Sequence, residues 1–276
     1  MEYEIKPQRK FDFGLKELWS YKELFYFFAW RDIKVKYKQT ALGFLWAVLQ
    51  PLITMVVFTF FFGRLLQIPS STLPYPVFVL SGLLLWNIFS SGVTNAGNSM
   101  VNNSNIIKKI YFPRLIIPLS AILVSVFDFL MTLLIFFGVL LYFKINSNLN
   151  IAWINFLLVL PISVILSCIA SFGIGTLLAA LNIKYRDFRY MVPFMIQTLL
   201  FITPVIYPIS IVQSPLLKVI LAMNPMYAAI EILRGSMTGI FPDTYLLMLS
   251  IFSSVVFLLI GVFIFRKTEY YFADLA

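Results

Sequence analysis

Residues 115–143 read LIIPLSAILVSVFDFLMTLLIFFGVLLYF, and Asp128 is the one charged residue in this stretch. A membrane-spanning helix needs about 20 consecutive apolar residues, so the stretch is long enough to cross a bilayer. Across the whole chain of 276 residues, 61% are hydrophobic and 12% are charged. Soluble domains carry roughly 25% charged residues, about twice that share. The composition leaves too few charges to cover a soluble surface, and it indicates an integral membrane protein.

Other apolar stretches follow the same pattern. With the first one, the candidate spans occupy residues 39–63, 73–93, 115–143, 151–181, 190–207 and 245–265. None of them shows the alternation of apolar and polar residues that is typical of barrel strands. The sequence therefore predicts an all-α, polytopic membrane protein with six transmembrane helices, folded as a single domain over residues 1–276.

The basic residues are distributed unevenly between the two sides that six spans define. Six spans put both termini on one side, where 17 of the 21 Lys and Arg residues then lie. Basic residues collect on the cytoplasmic side of membrane proteins, so we expect both termini in the cytoplasm. The net charge of +9 is explained by this topology and does not indicate a nucleic-acid partner.

Residues 208–240 are apolar, but prolines and the pair Asn224-Pro225 interrupt them. Each uninterrupted piece is about 14 residues long, which is too short to span a bilayer. One additional span here would also move the basic residues near the C-terminus to the outside. The sequence therefore predicts a re-entrant segment that returns to the outer face. Irregular backbone at that depth must be buried in protein or reached by water.

The segment LKELWSYKELFYFFAW, residues 15–30, has the pattern of a helix at the membrane surface. Lys16, Ser20 and Glu23 fall on one stripe of such a helix, and Leu18 and Trp19 fall on the other. A helix with one polar and one apolar stripe lies in the plane of the membrane interface. We therefore expect an N-terminal interfacial amphipathic helix over these residues.

Several kinds of chemistry are absent from the sequence. There is no histidine and a single cysteine, Cys168, which excludes His-ligated metals, Ser-His-Asp catalysis and a disulfide scaffold. None of the 12 glycines precedes a lysine, so the phosphate-binding Walker A loop cannot be formed. The few scattered loop carboxylates give little support to a glycosyl transferase or hydrolase. We predict a non-enzymatic chain with no cofactor of its own, so that any ATP must be used on another chain.

Asp128 lies about midway along residues 115–143 and is the only ionisable residue deep in a predicted span. Acids inside a membrane suggest a proton or ion site, which makes an ion-gradient-driven carrier one interpretation. The other interpretation is an acid that hydrogen-bonds to a neighbouring helix or faces a wet cavity. A proton-coupled carrier usually uses several such groups, whereas this chain offers one.

Aromatic residues form 17% of the chain. Phe58 and Phe61 belong to a dense cluster, and Tyr75 and Trp86 lie near the ends of predicted spans. Such residues commonly form the aromatic belt at the membrane interface. Their flat apolar faces also suit stacking on sugar rings inside a channel, so these four residues and Asp128 are channel candidates.

Small residues recur at four-residue spacing in the fourth span. They place one narrow face on the helix and permit close approach of a second helix, either within the chain or between copies. The residues of this face are Ser163, Ser167, Ser171, Gly175 and Ala179.

The loop VNNSNIIKKIY, residues 101–111, is polar at both edges and apolar at its centre. A short helix here would lie parallel to the membrane on the cytoplasmic side. It would be either a solvated connector or a docking element for a soluble partner.

Four segments, in this order, resemble the permease subunits of polysaccharide-exporting ABC transporters of the O-antigen (Wzm-like) type. Capsule and teichoic-acid exporter permeases are close relatives of that type. The segments are RDIKVKY (31–37) with LGFLW (42–46) and Pro51; IKKIYFPR (107–114) with Pro118; YRD (185–187) with TPVIYP (203–208); and Asn224-Pro225 with Glu231 and Arg234.

The resemblance implies a homodimer of this chain, with each copy bound to a separate P-loop ATPase subunit that holds ATP and Mg. It implies a cytoplasmic coupling helix within residues 101–111, with the coupling candidates Asn103, Asn105, Lys108, Lys109, Tyr111, Arg114, Tyr185, Arg186 and Asp187. It also implies that the re-entrant segment 208–240 forms an extracytoplasmic gate, with the gate candidates Asn224, Pro225, Glu231 and Arg234.

The function that the resemblance implies is export of a lipid-linked polysaccharide across the cytoplasmic (inner) membrane. The polymer would pass through a channel between the two copies. The alternatives are the ion-gradient carrier that uses Asp128, an ABC permease for small molecules or drugs, and a non-transporting scaffold or membrane enzyme.

Overall fold

The computed structural model describes residues 15–38, 43–70, 72–147, 149–185, 187–269 and 272. The described parts are helical and contain no strand. The helices are α1 (Leu15–Ser20), α2 (Lys22–Lys38), α3 (Gly43–Phe58, continued by the π-helix Thr59–Leu65), α4 (Tyr75–Asn102), α5 (Ser104–Ile107), α6 (Ile116–Ser147), α7 (Trp153–Lys184), α8 (Phe188–Ile202), a 3₁₀ turn (Ile209–Ile211), α9 (Pro215–Ala222), α10 (Tyr227–Thr238) and α11 (Thr244–Glu269).

Five of the helices are long and apolar enough to cross a membrane. They are the segment Leu45–Leu65 of α3 with its π-helical end, and α4, α6, α7 and α11. The remaining predicted span, over 190–207, is the shorter helix α8. Its 15 residues extend for about 22 Å, less than the roughly 30 Å of a bilayer core. The all-α polytopic class is confirmed, with five such helices, or six if the bent pair α9–α10 is counted as one span.

Helix α4 forms the centre of the bundle. It is the most buried of the five long helices, whereas α3 is the least buried. Its first three turns are apolar on nearly every side, and they pack between α6 and α7. A helix that is apolar all round is stable only when other helices surround it.

The small-residue face predicted on α7 packs inside the chain. Ser163, Ser167, Ser171, Gly175 and Ala179 are all buried. A Cβ atom on Gly175 would lie 2.7 Å from the Cβ of Ala96 in α4, and one on Gly173 would lie 2.5 Å from the backbone nitrogen of Leu258 in α11. The absence of side chains therefore lets α7 contact both neighbours closely.

Helices α4, α7 and α11 run towards one end of the bundle and α6 runs away from it, so the bundle has two ends. The basic end contains an apolar cluster in which α2, α5, α7 and α11 meet, through Phe28, Ile107, Ile183 and Phe265. Basic residues surround this cluster in the sequence: Lys108, Lys109, Arg114, Lys184, Arg189, Arg266 and Lys267. The opposite end contains the loops that precede α4, α7 and α11.

The segment between α8 and α11 begins and ends at the opposite end. Ile209 packs in one cluster with Leu246 near the start of α11. At the other boundary, the backbone N–H of Ala152 donates to the carbonyl of Met237 over 3.2 Å. Between these points, α9 and α10 are bent by 102° relative to each other. This is the shape expected of a re-entrant hairpin, and its entry into a membrane stays a prediction.

Helix α2 is longer than the predicted interfacial helix over 15–30, and its second half runs beside α6. The ring of Phe28 lies 5.6 Å from that of Phe112, and the ring of Tyr37 lies 5.4 Å from that of Phe127. From the first contact to the second, the residue number rises in α2 and also in the segment that leads into α6. The last turns of α2 therefore accompany α6, and an orientation in the membrane plane remains a prediction for the preceding residues.

Candidate functional site

The predicted coupling helix over 101–111 is divided in the structure. Residues 101 and 102 complete α4, only Ser104–Ile107 form the short helix α5, and residues 110–113 have no regular structure. Ile107 is buried in the apolar cluster of the basic end. Ile107 fixes one face of α5 to the bundle, and the residues that follow it, 108–111, are exposed.

The protruding residues are those predicted to contact a partner. Lys108, Lys109 and Tyr111 are exposed, and the Tyr111 side chain is 73% accessible. Asn105 is also exposed, whereas Asn103 is buried at the junction of α4 and α5. We call the exposed segment 108–111 the loop tip.

Asn103 connects the loop to the N-terminal helix. The Arg31 guanidinium donates to Asn103 Oδ1 over 2.7 Å and to Asp32 Oδ1 over 2.7 Å. The Asn103 amide in turn donates to the carbonyl of Ser99 over 2.8 Å. Asn103 therefore supports the loop rather than presenting its amide to a partner. The contribution of Arg31 was not predicted from the sequence, because 72 residues separate it from Asn103.

Arg114 joins the other side of the loop to the C-terminal end of α11. Its backbone N–H donates to Glu269 Oε1 over 3.1 Å, and its guanidinium donates to the Glu269 carbonyl. Arg266 bonds the same carboxylate over 3.0 Å. Partial burial, with the carboxylates of Glu17 and Glu269 nearby, raises the pKa of the Tyr111 phenol.

The third group of coupling candidates lies at the end of α7. Tyr185 follows Ile183, which belongs to the same apolar cluster as Ile107. Tyr185 is half exposed, with the Lys184 ammonium 5.2 Å from its ring centre, and Asp187 is exposed. Arg186 lies outside the described residues. The structure thus brings Tyr185 and Asp187 to the same end as the loop tip.

At the opposite end, the bend between α9 and α10 contains Asn224 and Pro225. The Asn224 amide donates to Thr203 Oγ1 over 2.7 Å, and its own oxygen accepts from the Met226 N–H over 2.9 Å. Ser250 Oγ of α11 donates to the Asn224 carbonyl over 2.7 Å. Ser250 is six residues after the start of α11, or about 9 Å along that helix. The bend is therefore held inside the bundle rather than at its surface.

Arg234 is the most enclosed charged residue among those described. Its side chain is 5% accessible and lies over the Phe78 ring, 3.5 Å from the ring centre. A guanidinium has five N–H donors, and here each one has an acceptor. The acceptors are Pro204 O at 2.6 Å, Val205 O at 2.8 Å, Glu231 Oε1 at 2.9 Å, Phe78 O at 3.0 Å and Ser81 Oγ at 3.4 Å.

These bonds join three parts of the chain that are far apart in sequence. Arg234 belongs to α10, Phe78 to α4, and Val205 to the turn after α8. Nearby, the Tyr75 hydroxyl donates to the carbonyl of Ile206 over 2.8 Å. Gly82 leaves the space that the guanidinium occupies, because a Cβ there would lie 2.7 Å from Arg234 Nη2. The arrangement fastens the bent segment to the centre of the bundle.

The channel candidates differ in their positions. Phe61 is exposed and Phe58 is half-buried against Phe62. Tyr75 and Trp86 are 9% and 4% accessible and belong to the core. The neighbouring helices cover both rings in this conformation, and a channel-lining role for them stays a prediction. The sequence could place them near a span end, but it could not show which side of α4 is packed.

Asp128 is paired rather than free. Its carboxylate lies 2.5 Å from Lys36 Nζ and accepts a hydrogen bond from the Tyr37 hydroxyl. These contacts agree with the second interpretation from the sequence, in which Asp128 hydrogen-bonds to a neighbouring helix. Asp128 is 12 residues into α6, which has 32 residues, so it lies about 18 Å from the basic end of that helix.

The described residues contain no group of three or more His, Cys, Asp or Glu side chains that could hold a metal ion. The two structured ends are the candidate functional features. They define a polytopic helical membrane protein with an exposed basic loop at one end and a buried polar clamp at the other.

Comparisons with known proteins identify the family. The chain belongs to the ABC-2 type transporter family, whose sequence pattern matches residues 23–238. It is 31% identical over 248 residues to an O-antigen export system permease protein, RfbA, of Klebsiella pneumoniae, covering 89% of this chain and 92% of the relative. It is 28% identical to the Myxococcus xanthus protein of that name over 268 residues, covering 94% and 98%. The polysialic acid transport protein KpsM of Escherichia coli is 25% identical over 248 residues, covering 87% and 91%.

Proposed function

We propose that this chain is the permease subunit of an ABC transporter that exports a lipid-linked polysaccharide of the O-antigen type. The observation that carries the proposal is the similarity to O-antigen export permeases over nearly the full length of both chains. A membrane permease built on the same pattern of helices is expected to move the same class of cargo. The lower identity to KpsM makes a capsule-type polysaccharide the second candidate.

In this proposal the basic end faces the cytoplasm, and both termini lie there. The distribution of Lys and Arg supports that orientation in the cytoplasmic (inner) membrane. A separate P-loop ATPase binds ATP and Mg and docks on the loop tip. The permease acts as a homodimer, with two copies of the ATPase and with the polymer between its subunits.

The contacts of the loop support a mechanical role. The loop is bonded to α2 through Arg31, to α4 through Asn103 and to α11 through Arg114. A displacement of the loop tip by the ATPase therefore acts on three helices together. The permease contributes different contacts in its two states and no catalytic group.

The clamp at Arg234 supports a gate at the extracytoplasmic end. It fixes the bent segment α9–α10 to α4 and to the turn after α8. A path through this end requires these helices to separate or to shift as one unit. In this proposal the described conformation, in which every Arg234 donor has an acceptor within the chain, is the closed state of the gate.

Co-purification tests the central proposal. The permease is expressed with the P-loop ATPase encoded beside it, purified through a tag on the permease, and reconstituted into vesicles with the lipid-linked polymer. We expect a stable complex and ATP-dependent movement of polymer across the membrane. A permease that binds no ATPase and moves no polymer would contradict the proposal.

A further inference from the structure

One face of α4 consists of uncharged polar residues. Between residues 77 and 100, the helix is fully buried except at positions 87, 90, 91, 94, 95 and 98. All of these partly exposed positions are asparagine, serine or threonine: Asn87, Ser90, Ser91, Thr94, Asn95 and Asn98. The same face continues through Asn102 to Asn105 at the basic end. We call it the amide face.

The amide face is uncharged and lies at membrane depth. Asn87 is 12 residues from Tyr75, the first residue of α4, and therefore about 18 Å from the opposite end of the helix. With a bilayer core of about 30 Å, this depth is near the middle. Amides that face hydrocarbon without partners are costly, so water or a polar ligand must meet this face.

Several of the amides are not satisfied within the chain. In the described part of the protein, the side chains of Asn87, Asn102 and Asn105 make no hydrogen bond. Asn95 reaches Ser125 Oγ only at 3.4 Å, and Asn98 accepts from Asn182 only at 3.5 Å. Each asparagine side chain offers two donors and an acceptor. The face therefore retains unused hydrogen-bonding capacity along its length.

A cavity of about 750 Å³ lies against the half of the amide face that is nearer to the basic end. Its other walls come from α2 and α6, through Asp32, Lys36 and Val124 among others. Lys36 bonds Asp128, and Asp32 bonds Arg31, so the charges in the walls are already paired. A neutral polar ligand suits this cavity better than an ion.

We infer that the amide face is the track along which neutral sugar residues of the polymer pass. Sugar hydroxyls donate and accept hydrogen bonds, as do asparagine amides and serine or threonine hydroxyls. The polar positions recur once per helical turn, about every 5.4 Å, which is close to the length of one sugar ring. Repeated weak and uncharged sites hold a chain without trapping it at one position. The inference rests on the proposed function, and it assigns the cargo to amide groups rather than to the aromatic rings.

Photo-cross-linking tests which ligand covers the face. The photoreactive residue p-benzoylphenylalanine replaces Asn98, in a complex stalled by a partner ATPase that binds but cannot hydrolyse ATP. The lipid-linked polymer carries a radiolabelled sugar. We expect a labelled adduct at position 98 and none at Asn155, an exposed asparagine near the start of α7. Adducts only to lipid or only to a second permease copy would overturn the inference.

Export by substituted permeases gives a second measurement. The double variant N87L/N98L is compared with the control N155L at equal membrane levels and equal ATPase binding. Loss of two hydrogen-bonding sites is expected to lower the export rate by about tenfold, whereas the control retains the wild-type rate. Unchanged export in the double variant would refute the role of the face and leave the proposed function intact. Absence of polysaccharide export by the unsubstituted complex would instead refute the proposed function.

Discussion

The two ends of the molecule hold their polar residues in opposite ways. At the basic end, the anchoring contacts lie behind the loop, and Lys108, Lys109 and Tyr111 project outward. At the opposite end, Arg234 is turned inward and every one of its donors is bonded to the chain. A residue that projects can be contacted by another protein, whereas a residue that is fully bonded inside resists movement. In the proposed mechanism, one end receives force from the ATPase and the other end yields to it.

The largest expected effect follows from removing the buried clamp. Arg234→Ala leaves the partly buried Glu231 carboxylate without its partner and leaves several carbonyl oxygens in the interior without a donor. Breaking a buried ion pair in this way costs about 3–5 kcal/mol. Thermal unfolding of the purified protein in detergent measures the loss. A matched Arg234→Lys variant keeps the charge but not the five donors, so its stability should lie between that of the unsubstituted protein and that of Arg234→Ala. Equal stability of the three proteins would contradict the clamp.

A smaller loss is expected when the loop is released from α2. Arg31→Ala removes the hydrogen bond to Asn103, which is worth about 1–2 kcal/mol for a charged donor at a half-buried site. The loop should become more accessible to protease while the bundle stays folded. Limited proteolysis, with sites located by mass spectrometry, detects this change. Cleavage no faster than in the unsubstituted protein would show that Asn103 is held by other contacts.

Asp128 lies between the two ends, and its replacement should have a modest effect. The pair with Lys36 is partly exposed, so Asp128→Asn is expected to cost about 1 kcal/mol or less. Polymer export should continue at a substantial rate, because the proposed energy source is ATP on the partner. Transport assays with and without a proton or sodium gradient check this result. Complete loss of a gradient-driven activity in the variant would favour the ion-coupled carrier instead.

The smallest change in stability is expected at the loop tip. Lys109→Glu alters an exposed side chain and should change the free energy of unfolding by no more than about 0.5 kcal/mol. The same charge reversal should weaken ATPase binding and lower export, since the tip is the proposed docking surface. Pull-down at two salt concentrations measures binding, and surface display of polymer measures export. Lys144→Glu, an exposed lysine at the opposite end of the bundle, is the matched control, and equal effects of both substitutions would contradict the docking assignment.

Much of the bundle was predictable because apolar length is a strong signal. The predicted spans 115–143 and 151–181 begin one and two residues before α6 and α7 and otherwise lie within them, and the spacing of Ser163, Ser167 and Ser171 correctly predicted a packing face. The prolines also correctly marked the bent segment. The predicted span over 190–207 was too long, because the chain leaves the helix at Thr203 to supply carbonyls to Arg234.

The candidate site was less predictable, because its contacts join residues that are distant in sequence. Arg234 and Glu231 were identified, but the acceptors from Phe78 and Val205 have no sequence signature. Hydrophobicity placed Tyr75 and Trp86 near a membrane boundary without showing that other helices cover them. The amide face had a signal, since asparagine, serine and threonine recur at helical spacing along residues 87–105. It became interpretable once the structure showed that the remaining sides of α4 are packed.

The most direct test of the central claim is to compare the two ends in the assembled complex. A photoreactive residue replaces Tyr111 at the loop tip in one variant and Tyr245, exposed at the start of α11, in another. Each permease is illuminated in membranes together with its P-loop ATPase. A permease–ATPase adduct from position 111 and none from position 245 is the expected result. No adduct from position 111, or equal adducts from both positions, would contradict a separate ATPase that docks at the basic end.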